Sequence, residues 1–266
     1  MDVEGGSVQH KSLNLVDNSK NNKNIVCGHL NVRSLKTGFD EFVNYVADYN
    51  FDILGLSETW LSPGDDSLSF KIPGYNLVRR DREGRGGGVG LYIKKYLNFT
   101  KVSFNDLCDE FEYVSVKFTI NKKNILVRTI YRPPSYNTQA FLDFLKDLFN
   151  LSVPFFDYVI FLGDLNIDLL TSSSSRQKFQ DLLDIFNLNQ QIKEPTRVNI
   201  STNSLTLIDV IITSNTLVCP KSGSLFISSS VSDHNLIYSI FDLPRGENSK
   251  KKIQYRDYSK INMQLF

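Results

Sequence analysis

Short apolar runs bounded by turn residues dominate the chain, and they predict an α/β protein in which strands outnumber helices. Apolar positions spaced three or four residues apart predict helices at 39–49, 138–149 and 176–186. The predicted strands are 24–30, 51–56, 75–79, 88–93, 112–120, 125–131, 157–162, 205–213, 225–228 and 235–241.

The arrangement of these segments predicts two packed sheets with helices on their outer faces. Segment 112–120 alternates apolar and polar residues and is followed by a polar turn, which predicts a hairpin with 125–131. Other strands are separated by helices, which predicts crossover connections. The helix at 39–49 is expected to bury one face, formed by Phe42, Val43, Val46 and Ala47.

Composition indicates one large domain that lacks the strong positive charge of a general nucleic-acid-binding protein. The chain has 266 residues, of which 41% are hydrophobic, and a formal net charge of +1. Affinity for phosphates therefore has to come from a local basic patch or a metal ion. Cys27, Cys108 and Cys219 lack the paired spacing of a zinc site, so we expect reduced thiols that fill apolar space.

The ends of the chain are polar, and we expect a disordered leader at 1–22, one domain at 23–243 and a polar tail at 244–266. The tail carries Lys250, Lys251 and Lys252, for which a solvated linker is the favoured interpretation over nuclear import. No segment resembles a signal peptide or a membrane span. The expected location is therefore nuclear or cytoplasmic, without a membrane partner.

Polar residues stand at the ends of several predicted strands. They are Asn31, Glu58, Asp164, Asn166 and the Asp233-His234 pair. Each alone is explained by a turn or a cap. Asp209 is different, because an acid inside the apolar run 205–212 is costly to bury unpaired. His234 is its expected partner, since a buried Asp often holds a His in one tautomer.

Carboxylate and amide oxygens are the ligands that Mg²⁺ prefers, and Mn²⁺ can substitute for it. Glu58, Asp164 and Asp233 supply such carboxylates, and Asn31 and Asn166 supply amides. A hard cation beside a His–Asp pair suits the attack of water on a phosphodiester. No small-molecule cofactor is expected.

The order of these motifs resembles the endonuclease/exonuclease/phosphatase superfamily. The phrases that carry the resemblance are Leu56-Ser57-Glu58-Thr59-Trp60, Gly163-Asp164-Leu165-Asn166 and Ser232-Asp233-His234-Asn235, with Asn31, Tyr131 and Asp209 in the matching order. The fold that this resemblance implies is a four-layer α/β/β/α sandwich with two packed mixed sheets, as in DNase I.

More narrowly, the chain resembles the endonuclease domain of non-LTR (LINE-type) retrotransposons of the jockey and CR1 kind. The supporting phrases are 31–35, 57–61, 86–90, Tyr131-Arg132-Pro133-Pro134 and Glu194-Pro195-Thr196-Arg197. This implies an enzyme that nicks one DNA strand and leaves a 3′-hydroxyl. It also implies a reverse transcriptase module in the full element, which this chain does not contain.

The resemblance implies a role for each site residue. Glu58 is the implied principal metal ligand, joined by Asn31 and Asp233. Asp164 is expected to orient or activate water, and Asp209 to position His234 at the phosphate. Asn31 and Asn166 are expected to hold the scissile phosphate, and Tyr131 to touch the phosphate or the leaving group. One departure is Arg33, which replaces an acid found in abasic-site repair relatives.

DNA contacts are expected from Arg33, Arg80, Arg82, Arg85 and Arg132, although a solvated charged hairpin explains 79–85 equally well. Gly86, Gly87 and Gly88 are expected to relieve backbone crowding, and Trp60 to pack in the core.

Two further functions stay open. One is a phosphatase acting on a phosphoinositide or a nucleotide, for which the sequence shows no dense basic pocket. The other is an inactive copy that binds DNA or protein, which the intact site residues argue against.

Overall fold

Two six-stranded mixed sheets pack face to face and carry helices on their outer surfaces. The structure is a computed structural model, and it describes residues 24–84, 86–103, 111–199, 202 and 204–245. The predicted leader at 1–22, Arg85, Cys108 and the lysines at 250–252 lie outside the described residues.

The described residues form fourteen strands and three α-helices. The helices are α1 (Phe39–Tyr49), α2 (Thr138–Asn150) and α3 (Ser174–Ile185). The strands are β1 (Asn24–Asn31), β2 (Ile53–Ser57), β3 (Tyr75–Arg80), β4 (Val89–Lys94), β5 (Phe99–Lys101), β6 (Glu112–Ile120), β7 (Lys123–Tyr131), β8 (Tyr158–Asp164), β9 (Leu188–Gln190), β10 (Arg197–Asn199), β11 (Ser204–Thr206), β12 (Asp209–Ser214), β13 (Lys221–Leu225) and β14 (Leu236–Pro244). Short 3₁₀ helices cover Ser67–Phe70 and Val153–Phe155.

Each sheet contains one parallel pair at its centre. The first sheet has the order β13-β14-β1-β2-β4-β3, in which β1 and β2 are parallel. The second has the order β5-β6-β7-β8-β12-β9, in which β7 and β8 are parallel. The other neighbours in both sheets are antiparallel, and β10 and β11 form a separate hairpin. The carboxyl ends of both parallel pairs are where the polar residues noted above occur.

Three apolar clusters define the four layers. Val116, Ile160 and Ile237 belong to the cluster between the sheets. A second cluster packs α2 and α3 on the second sheet, and a third packs α1 on the first sheet. The predicted α/β/β/α sandwich is therefore confirmed. Within α1 the predicted face is partly wrong, because Ala47 is exposed while Tyr45 and Tyr49 join the cluster.

The predicted strand at 205–213 is wrong, because the chain breaks into β11 and β12. Leu207 and Ile208 leave the hairpin and pair with the loop after β8: Leu165 N–H donates to the Ile208 carbonyl at 3.0 Å. The Leu207 N–H goes to an Asp168 side-chain oxygen at 3.0 Å. The apolar run 205–213 is continuous in the sequence, but its backbone hydrogen-bond partners change at Leu207 and Ile208.

The predicted strand at 225–228 is also misplaced. The strand is β13, whose residues Lys221-Ser222-Gly223-Ser224 are mostly polar and small. It is an edge strand, so half of its backbone faces no partner and an apolar pattern is not required. Strands β5, β9 and β10 are only three residues long and were not predicted from the sequence. The remaining boundaries differ from the predictions by at most three residues, the largest difference being at the end of β14.

Asp52 ties the far end of the first sheet together. This buried carboxylate accepts hydrogen bonds from the Val26 N–H, the Tyr96 hydroxyl and the Arg245 guanidinium, at 2.8, 2.7 and 2.7 Å. It precedes β2, whereas Glu58 follows β2, so the tie and the polar cluster lie at opposite ends of this strand.

Gly163 on β8 lies directly against the backbone of Ile130 on β7, which leads to a stability prediction. A Cβ at this position would overlap the backbone carbonyl of Ile130. Gly163→Ala should therefore lower the free energy of unfolding by about 1–3 kcal/mol, the usual cost of overpacking, as measured by urea denaturation.

The matched control is Gly64→Ala, because no atom lies within 4 Å of a Cβ built there. This variant should stay within about 0.5 kcal/mol of the parent. Equal stability of the two variants would contradict the close approach at Gly163.

Candidate active site

The candidate site lies where the ends of strands from both sheets meet. Asn31 is the last residue of β1 and Asp164 the last residue of β8, while Asp209 is the first residue of β12. Asp164 pairs directly with Asp209 on one side and with Tyr131 on the other. The pairing of the strands therefore brings these side chains together. No single segment of the sequence encodes this arrangement.

Asn31 connects the two sheets. Its side-chain Nδ2 donates to Glu58 Oε1 and to Asp164 Oδ2, both at 2.9 Å. Its Oδ1 accepts the Arg33 N–H at 3.1 Å, and its own carbonyl accepts the Ser232 hydroxyl at 2.5 Å. One buried amide thus fixes two carboxylates that belong to different sheets.

Asp164 is fully buried, and its ionisation is displaced accordingly. Burial, followed by the charge of Asp209, raises the pKa of Asp164 to about 7, although His234 and hydrogen bonds from Asn31 and the Asn166 N–H act in the opposite direction. A carboxyl group with a pKa close to neutrality can accept a proton and release it again.

Asp209 and His234 form the buried pair that the sequence predicts. His234 Nδ1 lies 2.8 Å from Asp209 Oδ2, and the same oxygen accepts the Thr196 hydroxyl at 2.7 Å. The Thr196 Oγ1 in turn accepts the backbone N–H groups of Ile208 and Asp209, at 3.2 and 3.1 Å. The carboxylate is therefore held by donors from two other segments of the chain.

This pairing keeps the His234 imidazole charged at neutral pH. Burial lowers the pKa of His234, but the charge of Asp209, the hydrogen bond to it and the charges of Asp164 and Asp233 together raise it to about 9. Nδ1 is engaged by Asp209, so Nε2 is the ring nitrogen that remains for a ligand. A protonated ring that presents one N–H is suited to an anion.

Asp164, Asp209 and His234 are close enough together to be considered as a metal site, since one ligand atom of each lies within 4.8 Å of the others. However, His234 Nδ1 and Asp209 Oδ2 already engage each other, and the same carboxylate oxygen accepts the Thr196 hydroxyl. We therefore interpret this trio as a group that holds protons, with the candidate ion position beside it.

Glu58 fits a hard cation better. Its carboxylate is half-buried, and Asn31 and the Tyr131 hydroxyl fix its Oε1, the latter at 2.9 Å. Burial and, after it, the charge of Asp209 raise the pKa of Asp164, so a dication nearby would favour the ionised form of this carboxyl group. Oxygen donors without sulfur select Mg²⁺ or Mn²⁺.

The residues that follow the strand ends adopt left-handed backbone conformations. Arg33, Glu58, Trp60 and Asn166 have φ values of 48°, 52°, 53° and 48°. Non-glycine residues rarely adopt such values, and they concentrate at functional sites. The four occurrences at one end of the sandwich support the location of the site.

The structure changes the interpretation of Trp60, whereas the phosphate contact of Asn166 stays a prediction. The prediction that Trp60 packs in the core is wrong: it belongs to none of the three apolar clusters, and its indole N–H donates to Glu58 Oε2 at 3.3 Å. The Asn166 side chain donates to the Arg132 carbonyl at 2.8 Å, which anchors the loop after β8.

Asp233 lies beside two arginines. Its Oδ2 is 2.8 Å from Arg197 Nη2, and its Oδ1 is 3.5 Å from Arg33 Nη1. Burial raises the pKa of Asp233, but the charges of His234, Arg197 and Arg33 lower it below its usual range. The Arg33 side chain is 60% exposed, and its contact with a phosphate stays a prediction. The metal-ligand role of Asp233 stays a prediction.

The geometry of Arg132 contradicts the prediction that it contacts DNA. Its buried guanidinium donates to the carbonyls of Leu165, Asn166 and Tyr136, at 2.6, 2.5 and 2.7 Å. These bonds hold the loop that carries Asn166, so Arg132 has a structural role.

The arginines of segment 79–85 that the structure describes contact other groups of the protein. Arg82 pairs with buried Glu112, and Arg80 lies over the Tyr113 ring, 5.4 Å from its centroid. The glycine run relieves crowding as expected: Gly87 and Gly88 have φ values of 69° and 84°, and a Cβ at Gly87 would meet Arg82 and Glu112. DNA contacts by Arg80 and Arg82 stay predictions.

Three residues at the site were not predicted from the sequence. Thr196 and Arg197 belong to a phrase that carries the family resemblance, but the phrase gave no role to either side chain. His29 is buried in the middle of β1, where its position in an apolar strand was the available signal. It lies 3.5 Å from Asp209, and burial lowers its pKa to about 4 against the opposing charge of Asp209.

Comparison with known protein families gives one match. A model of the "Endonuclease/Exonuclease/phosphatase family" matches residues 28–234, well over half of the chain. No curated protein sequence matches. The matched range begins just before His29 and ends at His234, so it spans every residue of the site described above.

Solved structures share the fold at low sequence identity. The endonuclease domain of TRAS1, a telomere-specific non-LTR retrotransposon, has a TM-score of 0.66 at 15% identity, over 82% of this chain and 99% of that chain. An AP endonuclease from Archaeoglobus fulgidus has 0.65 at 18%, over 82% and 100%. The 3′ phosphatase NExo from Neisseria, bound to a product DNA hairpin, has 0.64 at 19%, over 82% and 99%.

The charge on His234 generates a prediction for the metal-free protein. The folded-state pKa is raised to about 9 from an ordinary value of 6.5. The stability that His234 contributes is therefore complete below pH 6.5 and is lost as the pH rises through about 9. Proton NMR should show the His234 ring titrating near pH 9.

Asp209→Asn is the matched variant, because it removes the negative charge while keeping the shape of the side chain. In this variant the midpoint should fall to 6.5 or lower, since burial then acts without its main opponent. A His234 titration midpoint near 6.5 in the unsubstituted protein would show that Asp209 does not keep the imidazole charged at neutral pH.

Proposed function

Because the chain belongs to the endonuclease/exonuclease/phosphatase family, we propose that it is a Mg²⁺-dependent phosphodiesterase that nicks one strand of DNA and leaves a 3′-hydroxyl. One observation carries this proposal: hydrogen bonds from Asn31 join Glu58 to the buried Asp164. Asp164 in turn pairs in the sheet with Asp209, which holds the charged His234. The carboxylates that suit a hard metal ion and the charged imidazole that suits a phosphate thus lie at the same edge of the sandwich.

Asp164 is the proposed proton acceptor for the attacking water. Its pKa of about 7 leaves a useful fraction ionised at neutral pH, and hydrogen bonds from Asn31 and the Asn166 N–H fix its direction. The proton of the water moves to the Asp164 carboxylate as the water oxygen forms its bond to phosphorus. The bond from phosphorus to the 3′-oxygen breaks, and the leaving oxygen takes up a proton from solvent to give the proposed 3′-hydroxyl, with the phosphate left on the 5′-oxygen. Breaking the bond to the 5′-oxygen would instead leave a 3′-phosphate.

His234 is proposed to bind the phosphate through Nε2–H. Its positive charge offsets the charge that develops on the phosphate oxygens, and Asp209 holds the ring in place through Nδ1. Thr196 also holds the Asp209 carboxylate in place by donating to Oδ2. Tyr131 stays a protonated phenol, since burial and the charge of Glu58 raise its pKa, and it steadies Glu58 beside the phosphate.

Glu58, with Asn31 beside it, is proposed to hold Mg²⁺. When bound, the ion supplies charge that polarises the phosphate and stabilises the leaving oxygen. Asp233 can join this set only if its ion pair with Arg197 loosens, because Arg197 approaches the same carboxylate. Mn²⁺ is expected to substitute, since it accepts the same oxygen ligands.

DNA is the proposed substrate for three reasons. The sequence phrases resemble those of non-LTR retrotransposon endonucleases, and the endonuclease domain of such an element shares the fold. The 3′ phosphatase named above has a bound DNA hairpin. Arg33 and Arg197 flank the site and are 60% and 40% exposed, so they can meet phosphates beside the one that is cut. In a full element we expect a reverse transcriptase partner.

Phosphatase activity is the second candidate, because the structural neighbours include a mannosyl-6-phosphatase from Bacteroides thetaiotaomicron. A multiply phosphorylated head group needs several cations in one pocket. Arg132 cannot serve in this way, since its guanidinium is buried against carbonyls, and Arg82 is already paired with Glu112. We therefore rank DNA above a phosphoinositide.

A plasmid-nicking assay tests the proposal directly. Supercoiled DNA with the protein and Mg²⁺ should yield open circles with 3′-hydroxyl ends, and EDTA should stop the reaction. His234→Ala and Asp209→Asn should each lower the rate by about two orders of magnitude or more, the scale of losing a charge-stabilising or proton-transferring group. Asp181→Ala, on the exposed face of α3, is the control and should nick normally.

The alternatives predict other results in the same experiment. Release of phosphate from a phosphoinositide or a nucleotide, with DNA left intact, would favour the phosphatase. Binding of DNA without cleavage under Mg²⁺ and Mn²⁺ would favour an inactive binding module. Normal nicking by His234→Ala would remove the assigned role of the buried pair.

Glu58→Gln tests the metal position. The amide keeps the hydrogen bond from Tyr131 but loses the negative charge, so half-maximal nicking should require at least about tenfold more Mg²⁺. A titration of rate against Mg²⁺ measures this, with Asp181→Ala again as the control. An unchanged titration curve would exclude Glu58 as a ligand.

A further inference from the structure

The carboxylate of Asp209 faces a histidine on each of its two oxygens. Oδ2 accepts from His234 and Thr196, as described above. Oδ1 lies 3.5 Å from Nδ1 of His29, and both residues have side chains at 0% exposure. Within the described part of the chain, neither Oδ1 nor this Nδ1 has another hydrogen-bond partner. Two buried polar atoms that face each other at this distance are expected to pair.

The surroundings of His29 select one tautomer. His29 lies on the same face of β1 as Ile25 and Cys27, in the apolar layer between the sheets. Its Nε2 is 3.2 Å from the Ser57 Oγ. A neutral imidazole has one N–H and one acceptor nitrogen, so a Ser57 hydroxyl that donates to Nε2 leaves the proton on Nδ1, directed at Asp209.

The polar imidazole of His29 is unexpected in the apolar layer between the sheets, because an aliphatic side chain would fill the same space without a desolvation cost. Without a donor at Oδ1, half of the Asp209 carboxylate would be buried and unpaired. The carboxylate could then rotate to share its charge differently between its neighbours. A donor at Oδ1 fixes the plane of the carboxylate and so keeps Oδ2 directed at His234.

We propose that His29 is a positioning residue for the phosphodiester cleavage: its Nδ1–H donates to Asp209 Oδ1 and orients the carboxylate that holds His234. This inference rests on the proposed function. His29 itself does not touch the substrate, since it lies behind Asp209 in the layer between the sheets.

Two amide substitutions separate the two ring nitrogens. The Nδ2 of an asparagine is as far along the side chain as Nδ1 of histidine, and the Nε2 of a glutamine is as far along as Nε2. His29→Asn therefore keeps a donor toward Asp209, whereas His29→Gln keeps a group toward Ser57. Any loss that results from cavity or polarity alone should affect both variants.

The kinetic test compares these variants in the nicking assay. His29→Gln should lower kcat by about 10- to 100-fold, the range seen when a supporting hydrogen bond behind a catalytic group is lost, while KM for DNA stays within about twofold. His29→Asn should recover most of kcat. Equal activity of the two folded variants, or a loss confined to KM, would overturn the proposal.

A second measurement does not depend on catalysis. In ¹⁵N-labelled metal-free protein, the ring nitrogens of His29 should show the Nδ1–H tautomer, and the ¹⁵N shifts of His234 should change in His29→Gln and return in His29→Asn. An Nε2–H tautomer at His29, or His234 shifts indifferent to both variants, would reject the positioning role. If the parent fails to cleave DNA but these shifts behave as expected, the proposed substrate is wrong while the His29–Asp209 contact stands.

Discussion

A fully buried carboxylate must have its charge satisfied by the protein, and Asp209 places this requirement on the whole site. Its two oxygens face donors from distant segments: Thr196 before β10, His234 before β14, and His29 on β1. These donors reach it only when both sheets have formed and packed. The arrangement therefore couples the charge of one side chain to the assembly of the complete sandwich, because an unpaired buried charge is far more costly than a paired one.

The same geometry explains why the site stands at the junction of the two sheets. Each parallel pair brings the carboxyl ends of its strands to one edge, and the apolar layer between the sheets fixes the separation of the two edges. Asn31 spans the gap with a single amide. Close packing at Gly163 and tight hydrogen bonds around Arg132 hold the loop with Asn166. The site is thus supported by strand ends from both sheets and by loops that hydrogen bonds hold in place.

Much of this could be read from the sequence, and the rest depends on partners that sequence order does not reveal. The α/β sandwich follows from apolar periodicity, and the Asp209–His234 pair follows from an acid inside an apolar run. The break between β11 and β12 did not follow, because it arises from a change of hydrogen-bond partner at Leu207 and Ile208. Arg132 looked like a surface cation beside two prolines, yet carbonyls from the loop after β8 enclose it. Thr196 and His29 owe their importance to contacts across long separations along the chain.

The tie at Asp52 has a practical consequence for anything attached to this domain. Asn24 pairs with Pro244 at the start of β1, and Arg245 is held at the buried carboxylate before β2, so the described fold begins and finishes at the same end. Asn31 and Glu58 lie at the other extremity of those two strands. A fluorophore, surface tether or fused module joined near residue 24 or 245 would therefore start roughly one strand length, about 20 Å, from the cleavage chemistry, and would leave its approach open.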